Sequence, residues 1–480
     1  MAFDHDAYDR MPVTPIGPAG PLDPARATAR SVIAAHAPNP NGNTSIGDGV
    51  EHAHNLLGGV SGYDYEAIIV MTDGFENAAK FLADVQPMIN ERVFAIGLGT
   101  AEQINPAALT QLTNDTGGYL LLTGTMGPDN LFLMSKYYLQ ILAGVTNQNI
   151  VVDPEGYLAP GQRHRIPFVL NEADITADVI LLSGAPPTVF QFAVETPAGD
   201  IIDPAVAGAN PTVTFIEGQH ASYYRMSLPA AVGVGGAGAG TWHAVLTLDP
   251  TGYRRWFGSR DNDPATRQSV QVHGVRYSVS VHSLSSLRMD ARLVQSSNEP
   301  GATITVRVVL TEYGLPVEQR ATVSVDIERP DHTSATLAAS EIEPGVFEVK
   351  TVATLSGVYP IHVHASGATL RSKPFTREQL LSGAVWKGGD NPPPDGDTDP
   401  HTRDEQICRL LECLFGSDHF PRMLMTLGAD PKELEKCLRA FCRDRTASPM
   451  EAPLRHRVAP EREGAPPAAG PRARRPRRKE

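Results

Sequence analysis

A chain of 480 residues exceeds what one hydrophobic core organises and points to three or four domains. Its 41 Lys and Arg against 54 Asp and Glu leave a formal charge of −13, which argues against nucleic acid as the main partner. No run approaches the roughly 18 apolar residues of a membrane span, and four Cys, all in the last fifth, exclude a disulfide-dense scaffold for the first 400 residues.

In chain order, residues 1–10 (MAFDHDAYDR) carry no basic stretch followed by an apolar one, so no secretory signal is read there. Residues 64–72 (DYEAIIVMT) and 91–99 (ERVFAIGLG) are short apolar runs ending in turn residues, the pattern of strands buried on both faces of a parallel sheet. Residues 75–90, 106–116 and 129–143 read as helices. Strand and helix thus alternate to about residue 147.

After Asn147 the texture changes to β-rich segments parted by Gly, Pro and Asp turns, and 43 Gly with 40 Pro suit such turns. RHRIPFVL, DVILLS, TVFQFAVETP and GTWHAVLTLD predict one antiparallel sandwich over 148–255. RYSVSVHS, ATITVRVVLTEYG, ATVSVDIERPD, GVFEVKTVAT and GVYPIHVHASG predict a second, Ig-like one over 270–386. Residues 387–403 form a Pro/Gly/Asp linker, 404–444 a helical segment with Cys408, Cys413, Cys437 and Cys442, and 445–480 a Pro/Ala/Arg tail that cannot bury a core.

Five motifs fall within the first segment in a fixed order: FDHDA (3–7), NGNTSIGDGVEHAHNLL (41–57), IIVMTDGFEN (68–77), VFAIGLGT (93–100) and GGYLLLTG (117–124). Together they resemble the second part of a von Willebrand factor type A domain. The resemblance implies a Rossmann-like fold and a metal-ion-dependent adhesion site holding Mg²⁺ or Mn²⁺. In the family the ligands come from a D-x-S-x-S loop, a threonine loop and an aspartate loop. The threonine maps onto Thr44 and the aspartate onto Asp73. The chemistry of the residues agrees: Mg²⁺ takes oxygen ligands and keeps several waters. Asp73 also follows an apolar strand directly, at the carboxyl end of a parallel sheet where ligands bind. Gly42 and Gly74 let the backbone approach an ion. Read without the resemblance, the same two residues are a helix N-cap and a turn aspartate.

The family's D-x-S-x-S lies upstream of FDHDA, and none precedes it here. The expectation is an amino-terminally truncated domain whose Thr44 and Asp73 bind Mg²⁺ or Mn²⁺ only weakly. Asp4 and Asp6 could converge if residues 3–7 were extended, with strand-end solvation as the plainer reading. His52 and His54 lie about 200° apart on a helix and do not chelate together. There is no H-E-x-x-H for a zinc protease, and Ser45 lacks the G-x-S-x-G of a hydrolase. Asp395, Asp397 and Asp399 resemble the start of an EF-hand loop, but Pro400 and Gln406 stand where glycine and glutamate are needed. Cysteines five apart on a helix diverge by about 140°. Disulfides between two helices, free buried thiols and zinc all remain open for this module.

The fold class expected is multidomain α/β plus all-β: a partial A domain, two antiparallel β-sandwiches and a small helical module. The function expected is a non-enzymatic interaction or adhesion protein, cation-dependent, whose partner contributes an acidic side chain to the coordination sphere. The family resemblance implies an extracellular or cell-envelope setting. The alternative is the non-catalytic carboxyl-terminal part of a larger secreted metalloprotease or channel-regulator-like protein, since the region after residue 147 also resembles, more weakly, that of the chloride-channel regulators.

Overall fold

A computed structural model describes residues 1–390 apart from 5, 17–22, 37–42, 105, 126–129, 219–220 and 260–263. The four cysteines and the acidic stretch at 395–399 lie outside the described residues. The described chain is α/β to residue 147 and all-β with short helices thereafter. No helix among the described residues is long and apolar enough to cross a membrane.

In the first part, strands Ala67–Thr72, Arg92–Gly97 and Leu120–Leu122 pair in parallel in that order. Successive residues of the central strand face opposite sides. Val93 and Ala95 join a core with Ile46, Val50, Leu82, Leu109 and Leu112, while Phe94 and Ile96 join Leu121, Tyr137 and Ile141 on the other side. Helices Ile46–Gly58 and Pro106–Asp115 supply the first layer and helix Asn130–Val145 the second. The apolar runs read from the sequence are therefore sheet strands, but only the central Arg92–Gly97 is covered on both faces. The edge strand Ala67–Thr72 buries Ile68, Val70 and Thr72 on one face and leaves Ile69 46% exposed on the other.

The helix expected over 75–90 is not formed; only Leu82–Val85 and a 3₁₀ turn at Gln86–Met88 are helical. The reason is competition for backbone partners. The amides of Asn77 and Ala78 both donate to the Thr44 carbonyl, and the Lys80 carbonyl accepts from the Ser45 hydroxyl. Residues 73–81 spend their hydrogen bonds on the neighbouring loop, so no i→i−4 ladder can form over them.

The first β-sandwich sets the sheet of Ile201–Ile202, Phe190–Glu195, Gly240–Leu248 and Arg163–Leu170 against strands Val213–Glu217, Ala221–Ser227, Asp174–Ser183 and Val275–Ser285. Both sheets contribute to one core, with Trp242 stacked on Phe168 and Tyr224 edge-on to Phe192. The sequence groups Val275–Ser285 with the second block, but its strand pairs with Asp174–Ser183, Val279 opposite Leu181. Val279 and Val281 are fully buried in the first core, which fixes that choice.

The second sandwich is built from Leu287–Gln295, Ala302–Glu312, Ser334–Glu343 and Val346–Ala353 against Ala321–Glu328, Gly357–Ala368 and Pro374–Val385. Ala302–Glu312 alternates buried and exposed positions, the period of a strand with one wet face. The two sandwiches are not separate bodies. Strand Asn149–Val152 pairs with Val275–Ser285 on one side and with Pro374–Val385 on the other, making one continuous sheet path. At the junction the fully buried Arg377 guanidinium donates to Asp174 at 2.8 Å, to Ser285 at 2.9 Å and to the Leu287 carbonyl at 3.2 Å. Ala384 and Trp386, at the end of the chain's last described strand, pack into the α/β core.

Candidate functional site

At the carboxyl end of the parallel sheet, strand Ala67–Thr72 runs straight into Asp73 and Gly74, and beside them lies the turn that opens helix Ile46–Gly58. That helix is capped by Ser45, whose hydroxyl accepts from the Asp48 amide at 3.4 Å and donates to the Lys80 carbonyl at 3.0 Å. The cap is thus one residue later than the plainer sequence reading placed it, and the Thr44 side chain is left out of the capping interaction.

The two loops are tied together through backbone and buried side chains. Thr44 donates its amide to Asn77 Oδ1 at 2.5 Å and accepts at its carbonyl from the Asn77 amide at 2.9 Å. The buried Glu76 carboxylate accepts from the Gly47 amide at 2.7 Å and from the Leu82 amide at 2.8 Å, one oxygen each. A side chain on Gly47 has no room, because a Cβ there would lie 2.5 Å from the Phe81 carbonyl carbon and oxygen. A Cβ on Gly74 would lie 3.5 Å from Thr44 Oγ1, which measures how near the hydroxyl stands to the aspartate loop.

These contacts leave two oxygen groups uncommitted at one junction. Among the described residues, neither the Thr44 hydroxyl nor the exposed Asp73 carboxylate has a hydrogen-bond or ion-pair partner. By contrast, Lys80 at the loop's edge pairs with Glu51, which raises its pKa. The donor set is oxygen only, one hydroxyl and one carboxylate, the kind a hard divalent cation takes. It is short of a full octahedron, so water would complete the shell.

The other residues singled out from the sequence behave differently. Strand Ala2–Phe3 pairs antiparallel with Ala7–Tyr8, and Asp4 and Asp6 lie between them and not along a strand. Asp4 Oδ1 accepts from the Tyr8 hydroxyl at 2.9 Å, raising the Tyr8 pKa, while its carbonyl accepts from the Ser45 amide at 2.7 Å. His52 and His54 diverge as their spacing requires: one meets Asp9 and the other Glu91, each at 2.8 Å. Sequence reasoning missed Glu76 and Asn77, which hold the loops in place. The signal was present as two polar residues in DGFEN, inside a segment read as helix.

No family model matches the chain, and no curated protein does. Among solved structures it is similar to a DUF4785 family protein from Legionella pneumophila, at 12% identity and TM-score 0.30, over 50% of this chain and 63% of that one. It is similar to the lipase BlEst2 of Bacillus licheniformis in propeptide form, at 10% identity and TM-score 0.27, over 62% and 61%. It is also similar to a von Willebrand factor type A protein from Catenulispora acidiphila, at 11% identity and TM-score 0.22, over 83% and 62%. The chain spans about three-fifths of the length of these structures.

Proposed function

We propose that this chain is a non-enzymatic interaction protein that engages a protein partner through a divalent cation, Mg²⁺ or Mn²⁺, held between Thr44 and Asp73. The observation that carries this reading is the pair of uncommitted oxygens on two interlocked loops at the carboxyl end of the parallel sheet. Asp73 would contribute the negative charge and Thr44 Oγ1 a neutral oxygen. When bound, the cation supplies a positive centre that an acidic side chain of the partner can complete. The loop backbones are fastened by Glu76, Asn77 and Ser45, so binding has only the two donor side chains to order.

Two protein ligands offset little of the hydration of Mg²⁺, so affinity for the free ion is expected to be weak. The experiment immobilises a peptide with one aspartate flanked by glycine and serine and measures retention of the full chain in excess Mg²⁺ or with a chelator. Retention that needs both Mg²⁺ and Asp73 is the expected result. Equal retention of the Asp73→Ala and Thr44→Ala variants, or retention indifferent to the chelator, would overturn the reading.

A further inference from the structure

Strand Gly357–Ala368 lies between Ala321–Glu328 and Pro374–Val385, antiparallel to both. Ile361, Val363 and Ala365 point into the second sandwich core. His362 and His364, alternating with them, therefore share the opposite face of the sheet. Glu378 stands directly across from His364, and Asp326 directly across from His362 on the other neighbour. Three strands thus deliver two imidazoles and two carboxylates to one patch.

From this arrangement we propose a transition-metal site, with His362, His364 and Glu378 as ligands and Zn²⁺ as the cation it takes. One donor atom from each of the three residues lies within 4.8 Å of the other two. The Glu378 carboxylate faces both rings, 3.2 Å from His362 Nε2 and 3.5 Å from His364 Nδ1. Ligands bound about 2.0–2.1 Å from a tetrahedral Zn²⁺ stand about 3.3 Å from one another, so each separation, one to Oε2 and the other to Oε1, is near such an edge. Small side-chain rotations would bring one donor from each residue onto a single shell. The His362 contact is close but out of line for a hydrogen bond: His362 Nε2 is a buried nitrogen with no hydrogen-bond partner. A metal ion would give that nitrogen a partner.

The groups around the ligands fit the same assignment. Asp326 Oδ2 lies 3.1 Å from His364 Nε2 and can hold that side of the ring, which leaves Nδ1 facing Glu378. The Asp153 amide donates to Glu378 Oε2 at 2.9 Å and fixes the carboxylate. The buried Lys136 is occupied by Asp153 at 2.9 Å and Glu155 at 2.8 Å, and the buried Arg377 by Asp174 at 2.8 Å. The two rings lie 3.9 Å apart between centroids, close enough for both to reach one small ion. Imidazole donors favour Zn²⁺ and its neighbours over Mg²⁺ or Ca²⁺. The side chains of His362 and His364 are 27% and 33% exposed, so water or an outside ligand has a route to a fourth position.

The experiment uses the full chain with Cys408→Ser, Cys413→Ser, Cys437→Ser and Cys442→Ser, so that thiolates cannot contribute. Zinc calorimetry and Co²⁺ absorbance are expected to report a single equivalent, with a visible ligand-field band. His362→Ala combined with His364→Ala should abolish it, Asp326→Asn should weaken it roughly 10–100-fold, and Asp73→Ala should leave it unchanged. Unaltered binding in the double histidine variant would overturn the site, as would no binding at all, the outcome of a plain ion-pair cluster. Should that variant fail to fold, X-ray absorption at the zinc edge decides: fewer than two imidazoles per Zn²⁺ sinks the proposal.

Discussion

His282 sits in the middle of strand Val275–Ser285 with 1% of its surface exposed. Its Nε2 lies 2.9 Å from the Ser280 hydroxyl, and its Nδ1 is buried with no hydrogen-bond partner. Burial pushes its pKa down from 6.5 to about 4, against a weaker upward pull from Asp178. In the unfolded chain the imidazole titrates near 6.5. Between those two values the unfolded state holds more protons than the folded one, so stability rises with pH across the window. The contribution is complete above pH 6.5 and is lost as pH falls toward 4. At about 1.4 kcal/mol per pH unit, the loss between pH 7 and pH 4 is about 3 kcal/mol. Urea unfolding followed by tryptophan fluorescence at a series of pH values measures it, in the wild type and in His282→Gln. Other groups titrate in both proteins, so the difference between the two curves isolates His282, provided the urea slopes agree. The wild type is expected to lose about 3 kcal/mol more than the variant over that range. Superimposable pH dependences would refute the argument.

The Glu76 carboxylate should be essential to the loop pair. Glu76→Ala strands two buried amides and is expected to cost about 3 kcal/mol or more in thermal or urea unfolding. Gly47→Ala should be destabilising in the same assay because its methyl meets the Phe81 backbone, whereas Gly74→Ala, at ordinary contact distance from Thr44, should shift stability by no more than about 0.5 kcal/mol. At the junction of the sandwiches, Asp174→Ala leaves the Arg377 cation buried without its counter-ion and should cost about 3–5 kcal/mol. Adding Arg377→Met to it should restore much of the loss, because a hydrophobic replacement removes the uncompensated charge. A double variant no more stable than the single one would count against the ion-pair account.

Several elements were legible in the chain itself because they depend on local chemistry. The apolar runs at 67–72 and 92–97 read as strands and are strands, though only the second is covered on both faces, and the β segments carry the period-two alternation of a strand. The places of Thr44 and Asp73, one before a helix and the other at a strand's carboxyl end, could be read from the motifs around them.

Other features exist only because distant segments meet. DGFENAAKF carries nothing that forbids a helix, and it stays irregular because Thr44, Ser45 and Gly47 take up its hydrogen bonds from across the fold. RYSVSVHS reads as a strand with one wet face, yet Ser278, Ser280, His282 and Ser283 are all buried, two of them donating to Asp153 and Asp174. The bridging strand Asn149–Val152 has a sequence like any other short apolar run, and its two partners lie more than 120 residues away. Likewise HVH at 362–364 shows that two imidazoles share a face, but Glu378 reaches them only through strand register. Sequence periodicity states which side chains of one segment point the same way. Which segment covers that face, and whether a polar side is wet or buried, is decided by packing between segments that the chain keeps far apart.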